Sequence, residues 1–140
     1  MKRLVTGIDA AGRSCVLHEA EIDTPGGALV RHTVFETTQS PPPPRPPGTT
    51  GVDRNLGVAP GLVHWAITQF PPHLERPMHH TDTVDFDLVL AGSIDITLDD
   101  GVHRLEPGDC VVVNGVDHAW KAGPEGCTLS VVLLGSTPFR

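Results

Sequence analysis

Cysteine is scarce in this chain. Cys15, Cys110 and Cys127 are odd in number and widely spaced, with no C-x-x-C. That pattern excludes a disulfide framework and a thiolate zinc site, and it suits the reducing cytoplasm. Cations are few as well: ten Lys and Arg stand against seventeen Asp and Glu, a formal charge of −7. No basic stripe is present, so a nucleic acid or an anionic membrane would meet repulsion over most of the surface. No apolar run approaches the length of a membrane span, and Asp9 interrupts the N-terminal stretch before it can form a signal-type core. The expectation is a soluble, unprocessed protein. Tyrosine is absent, and Trp65, Trp120 and four phenylalanines say little about pocket shape. There is no Gly-rich phosphate loop and no dinucleotide fingerprint, and Ser14, Ser93 and Ser130 lack a nucleophile elbow. These absences argue against hydride chemistry with a bound nucleotide.

What the chain does have is turn chemistry. Fifteen Gly and fourteen Pro in 140 residues leave little room for helices. The apolar segments are short and rich in Val, Ile, Leu and Thr, which predicts an all-β domain. Strands are expected over 4–6 and 14–17 around the turn Asp9-Ala10-Ala11-Gly12, and 28–37 reads as a third extended stretch. Seven more follow at 61–70, 84–91, 93–98, 102–105, 110–113, 118–122 and 128–134, a spacing that suits a sandwich or barrel. Asp99-Asp100-Gly101 and Glu106-Pro107-Gly108-Asp109 read as turns. The run Ser40-Pro41-Pro42-Pro43-Pro44-Arg45-Pro46-Pro47-Gly48 reads as a stiff polyproline II connector in preference to an SH3-type ligand. The organisation expected is a single domain, with N-terminal strands and the proline-rich loop (1–60) packed on a barrel core (61–140).

The most informative segment runs from Pro77 to Gly92, where imidazoles and carboxylates stand at the mouth of an alternating strand. If Asp85 points into the barrel, so do Asp87, Val89 and Ala91, while Phe86, Leu88 and Leu90 face outward. Two carboxylates buried so close together need a neutralising partner, and a cation is the simplest one. Downstream, His118 and Trp120 share one face of their strand. Imidazole nitrogen and carboxylate oxygen suit a divalent transition metal such as Zn, Mn, Fe or Ni.

These residues resemble the cupin family. Its first motif is His-x-His, three or four residues, Glu, six residues, Gly, and His79, Thr81, Asp85 and Gly92 fall in that register. Its second motif looks like Gly108, Asn114, Gly115 and His118, with one residue fewer than usual. The resemblance spans Gly61 to Leu134. Thr81 takes the second His position, Asp85 replaces the Glu, and Ala122 stands where an Asn is usual. That form is similar to a subgroup of small bacterial and fungal cupins found with secondary-metabolism enzymes.

The resemblance implies a double-stranded β-helix, or jelly-roll barrel, with an N-terminal strand arm. It implies His79, Asp85 and His118 as metal ligands, with His80 as a fourth candidate and open positions for substrate or water. Asp87 is the candidate general acid or base, or else an orienting residue for the imidazoles, and His64 joins it if its strand parity is right. The remaining histidines read as surface residues. The function expected is Lewis-acid and proton-transfer chemistry on a small hydroxylated or keto metabolite: dehydration, decarboxylation or isomerisation. Alternatives are a non-haem iron oxygenase and a non-catalytic small-molecule-binding cupin. By analogy with the family, a homodimer is expected in which the arms cover sheet edges.

Overall fold

The computed structural model describes residues 1–23, 27, 29–37 and 51–138. Among these there is no helix, and so none long and apolar enough to cross a membrane. The all-β architecture expected of the chain is what forms. Nine strands make one curled sheet: β1 (Lys2–Ile8), β2 (Ser14–Glu21), β3 (Val52–Asp53), β4 (Val63–Phe70), β5 (Glu75–His80), β6 (Thr83–Leu98), β7 (Gly101–Leu105), β8 (Cys110–Val113) and β9 (His118–Gly135). The order is β2-β1-β8-β6-β9-β5-β3, with β4 also paired to β9 and β7 to β6. The β1–β8 and β3–β5 pairs are parallel, and the rest are antiparallel.

Two long strands run through both halves of this sheet. The first half of β6 pairs with β8 and with the second half of β9, while its second half pairs with β7 and the first half of β9. Expected breaks at residue 92 and over 123–127 are therefore bends within continuous strands. Register shifts flank Gly92, which takes φ 72°. A Cβ there would lie 2.1 Å from the Gly126 carbonyl oxygen, so close approach and a left-handed backbone both require glycine. The bend folds the two halves face to face over a shared core that includes Leu4, Val89, Ile94, Ile96, Leu105, Val111 and Leu129. Each such side chain, fully buried, contributes roughly 1.5–3 kcal/mol.

The N-terminal hairpin is tied into the sheet by carboxylates at turns. Lys2 N–H donates to Asp109 Oδ1 (2.7 Å), Ser14 N–H to Asp99 Oδ2 (2.8 Å) and Val16 N–H to Asp100 Oδ2 (2.8 Å). The predicted turn at 9–12 forms, with Asp9 Oδ1 accepting from Ala11 and Arg13 N–H.

Several details differ from expectation. Residues 29–37 belong to no strand, although Phe35 packs on Phe86 across the outer face with ring centroids 5.7 Å apart. The proline-rich run lies outside the described residues. Strands β3 and β5 were not anticipated, because Pro77 argues against pairing. The β5–β9 register shifts between Arg76 and His79, so the missing proline N–H falls where the ladder is already interrupted. Ala91, expected to face inward, is exposed, because the register shift after Val89 ends the alternation.

Replacing Gly92 with Ala is expected to destabilise the fold by more than about 2 kcal/mol, since strain and a backbone clash combine. Gly12→Ala, at φ 76° with open space around it, should lose only about 1 kcal/mol. Urea unfolding midpoints of the two variants measure the difference, and equal midpoints would refute the tight bend.

Candidate functional site

Strand alternation places the first half of the site. Along β6, Asp85, Asp87 and Val89 are buried while Leu88 and Leu90 are exposed. Register extends this inward face across the sheet, from Asp85 to Leu133 on β9 and from Asp87 to Val131. The second half comes from β5 and β9, where His79 and His118 are direct cross-strand partners. Their rings lie 4.3 Å apart between centroids, and the His118 ring meets Trp120 edge-on at 5.6 Å.

Asp85, Asp87, Val131, Leu133, His79, His118 and Trp120 line one cavity of about 340 Å³. His79, Asp85, Asp87, His118 and Thr81 supply its polar wall. Phe70, Trp120, Leu129, Val131 and Leu133 supply apolar surface, and Arg54 and Arg76 also reach it. A pocket this size, mostly apolar with a few convergent polar groups, is the usual form of a small-molecule site.

Both imidazoles are held in one tautomer. His79 Nδ1–H donates to the Pro77 carbonyl and His118 Nδ1–H to the Val116 carbonyl, each at 2.8 Å. A carbonyl can only accept, so the proton sits on Nδ1 and each Nε2 keeps its lone pair. Burial lowers the His79 pKa, with the Arg54 and Arg76 charges adding to it. Burial, reinforced by His79, takes His118 down to about 4. Both rings are therefore neutral donors near pH 7.

Burial lifts the Asp87 carboxyl well above the usual carboxylate range, and the neighbouring Asp85 charge pushes the same way. Both effects favour the protonated form of Asp87, which has an O–H to give. Asp85 Oδ1 accepts from the Thr83 hydroxyl at 2.5 Å, and that hydroxyl lies 2.9 Å from the hydroxyl of Thr81. Cys127, raised to about 11 by burial and then by Asp87, remains a thiol and offers no thiolate.

Of the residues singled out by sequence, His79, Asp85, Asp87 and His118 come together in the cavity. His80 does not. Its Nδ1 lies 2.9 Å from Oδ1 of the fully buried Asp117, on the opposite side of the strand from His79. His64 shares the inward parity, since it pairs with Leu133, which pairs with Asp85. It is nonetheless exposed and does not line the cavity, two strand spacings from Asp85, or about 10 Å. Arg54 and Arg76 were missed, because an isolated arginine carries no motif. Only the pairing of β3 with β5 brings Arg54 here.

The donor set fits a divalent transition metal in kind: two Nε2 lone pairs and a carboxylate share one wall. Among the described residues, no group of three His, Cys, Asp or Glu side chains stands in ion-holding geometry.

No family model matches the chain. It is 40% identical over 63 residues to phomopsin biosynthesis cluster protein C′ of Diaporthe leptostromiformis, a match covering 44% of this chain and 33% of that one. It is 30% identical over 129 residues to the cupin-domain-containing oxidoreductase fogC of Aspergillus ruber, covering 84% of this chain and 62% of the relative. The chain thus spans between a third and somewhat under two thirds of these curated relatives. A cupin-2 domain protein from Shewanella frigidimarina overlays on 50% of this chain and 68% of its own, with 24% identity and a TM-score of 0.45. The curled all-β sheet, with the residues at the cupin motif positions gathered in its cavity, is thus accompanied by similarity to a cupin-domain protein along 84% of this chain.

Proposed function

We propose that this chain is a small cupin enzyme acting on a hydroxylated or keto metabolite by proton transfer, with a divalent metal held by His79, His118 and Asp85. The observation that carries the reading is the buried Asp87 carboxyl, whose burial favours the protonated form, set in the same cavity as two imidazoles whose Nδ1–H groups are held by backbone carbonyls. A bound ion supplies Lewis acidity at a substrate oxygen. Asp87 holds the transferable proton and delivers it to a leaving hydroxyl or to a carbon bearing developing negative charge. Its conjugate base can then recover a proton from the substrate. Thr83 fixes the orientation of Asp85, and Trp120, Leu129 and Val131 exclude water from the reacting groups. Dehydration, decarboxylation and isomerisation each need one well-placed proton and no net redox change.

A second reading, oxygen chemistry at iron, is favoured by the oxidoreductase name of the Aspergillus ruber relative and by the two-His, one-carboxylate donor set. The names of the biosynthesis-cluster relatives suit a secondary metabolite as substrate in either case.

A homodimer forms part of the same proposal. The outer face of β4 carries Val63, Trp65 and Ile67 at 65%, 70% and 56% exposure, and among the described strands β4 pairs only with β9. An open edge beside an apolar face calls for cover.

Elemental analysis of the purified protein should find stoichiometric transition metal in the wild type and loss of at least nine tenths of it in His118→Ala. Turnover under nitrogen with Mn or Zn supports the lyase or isomerase reading, and strict dependence on Fe(II) and O₂ replaces it with the oxygenase.

Asp87→Asn should keep the metal while turnover falls by ~10²–10⁴-fold. Its stability should move the other way. Folded Asp87 retains a proton that the unfolded chain loses above its ordinary value of 3.8, so this group's contribution declines as pH rises through that window. The amide has no such dependence. Urea midpoints should therefore favour Asp87→Asn at pH 8, with the gap closing towards pH 4, and a gap that widens on acidification would reverse the assignment.

Sedimentation velocity should show a wild-type dimer that Trp65→Glu converts to monomer. A monomeric wild type removes the dimer proposal.

A further inference from the structure

The polar wall of the cavity holds two cations that the proton-transfer reading does not use. Arg76 lies on β5 opposite Trp120, and Arg54 follows β3, where its backbone N–H donates to the His80 carbonyl at 2.9 Å. Both are half-buried and both line the cavity.

Three other arginines are engaged. Arg3 donates to the Thr33 carbonyl and Arg13 to the Asp99 carbonyl. Arg104 donates to Asp95, Glu106 and Ser93. Among the described residues, the guanidinium groups of Arg54 and Arg76 form no ion pair and no hydrogen bond. In a chain where acidic residues outnumber basic ones by seventeen to ten, this small cavity sets two unengaged arginines beside Asp85 and Asp87, so its formal charges balance where the chain as a whole is negative.

We propose that Arg54 and Arg76 form a carboxylate-recognition subsite, so that the molecule taken by this cavity is a small organic acid with an apolar body. The inference rests on reading the cavity as the substrate site and deepens it by naming the substrate class. A planar guanidinium presents parallel N–H donors that match the two oxygens of a carboxylate, and half-buried charge-assisted bonds of this kind are stronger than exposed ones. The apolar body then lies along Phe70, Leu74, Leu129, Val131 and Leu133. The two cations together offset one ligand carboxylate and the Asp85 carboxylate, whereas a dianionic phosphate would leave one negative charge uncompensated. With one end of the molecule held by the arginines, its oxygen-bearing carbons are delivered to Asp87 and the imidazoles in a limited set of poses.

The test is isothermal titration calorimetry of the full chain after EDTA treatment, with trans-cinnamate and its neutral counterpart cinnamamide as probes. Cinnamate should bind at least tenfold more tightly than the amide. Arg54→Gln and Arg76→Gln should each weaken cinnamate by about tenfold or more while leaving cinnamamide within about twofold. Arg13→Gln, far from the cavity, should change neither. Arg54→Lys and Arg76→Lys keep the charge and should recover part of the affinity, which separates lost recognition from a disturbed fold.

The subsite is overturned if cinnamate binds no better than the amide, if either Gln variant leaves cinnamate affinity intact, or if both probes weaken together. Absence of binding heat for cinnamate up to about 10 mM, the limit of a weak site, overturns it as well. Because the protein is metal-free and no turnover is read, missing metal or activity would defeat the enzyme proposal alone.

Discussion

Everything in this molecule is arranged around the shared bend of β6 and β9. A sheet of this size, left open, would expose one whole apolar face, and it can bury that face only by folding over on itself. The fold-over takes place where Gly92 passes the Gly126 carbonyl, at a distance no side chain allows. Because the two strands are continuous through the bend, the carboxylates at one end of β6 and the imidazole at the start of β9 belong to the same rigid framework. The cavity is the space left between the halves where polar residues take the place of the aliphatic core.

That framework also sets the charge states of the cavity. Burial acts in opposite directions on acids and bases, favouring the protonated form of Asp87 and the neutral form of His118. Of the two carboxyl groups that line the cavity, one is thereby pushed toward neutrality, and the imidazole loses its charge as well. Sequestration, more than pairing, does this.

Much of this was legible in the residues, and the exceptions have physical causes. Alternation from Asp85 to Val89 was readable because period-2 patterning holds wherever a strand pairs without interruption. It failed at Ala91, where a bulge intervenes, and bulges leave little trace in sequence. The spacing of His79, Asp85, Gly92 and His118 carried the resemblance, and the left-handed backbone at Gly92 supplies the reason for glycine at its position. Strand β5 was hidden by Pro77, whose missing N–H ordinarily argues against pairing. Parity for His64 was correct, but parity says nothing about lateral distance, and an edge strand lies beyond the cavity. Arg54 and Arg76 needed the β3–β5 pairing, a long-range contact that no local pattern announces.

The hydroxyl of Thr83 has one hydrogen, and the Asp85 carboxylate claims it. The same oxygen also touches the Thr81 hydroxyl, so one hydrogen serves two neighbours and the pair of threonines ties the cavity surface to its carboxylate. A threonine standing in a position where a second imidazole is customary thus lends the wall a hydroxyl in place of a ring nitrogen.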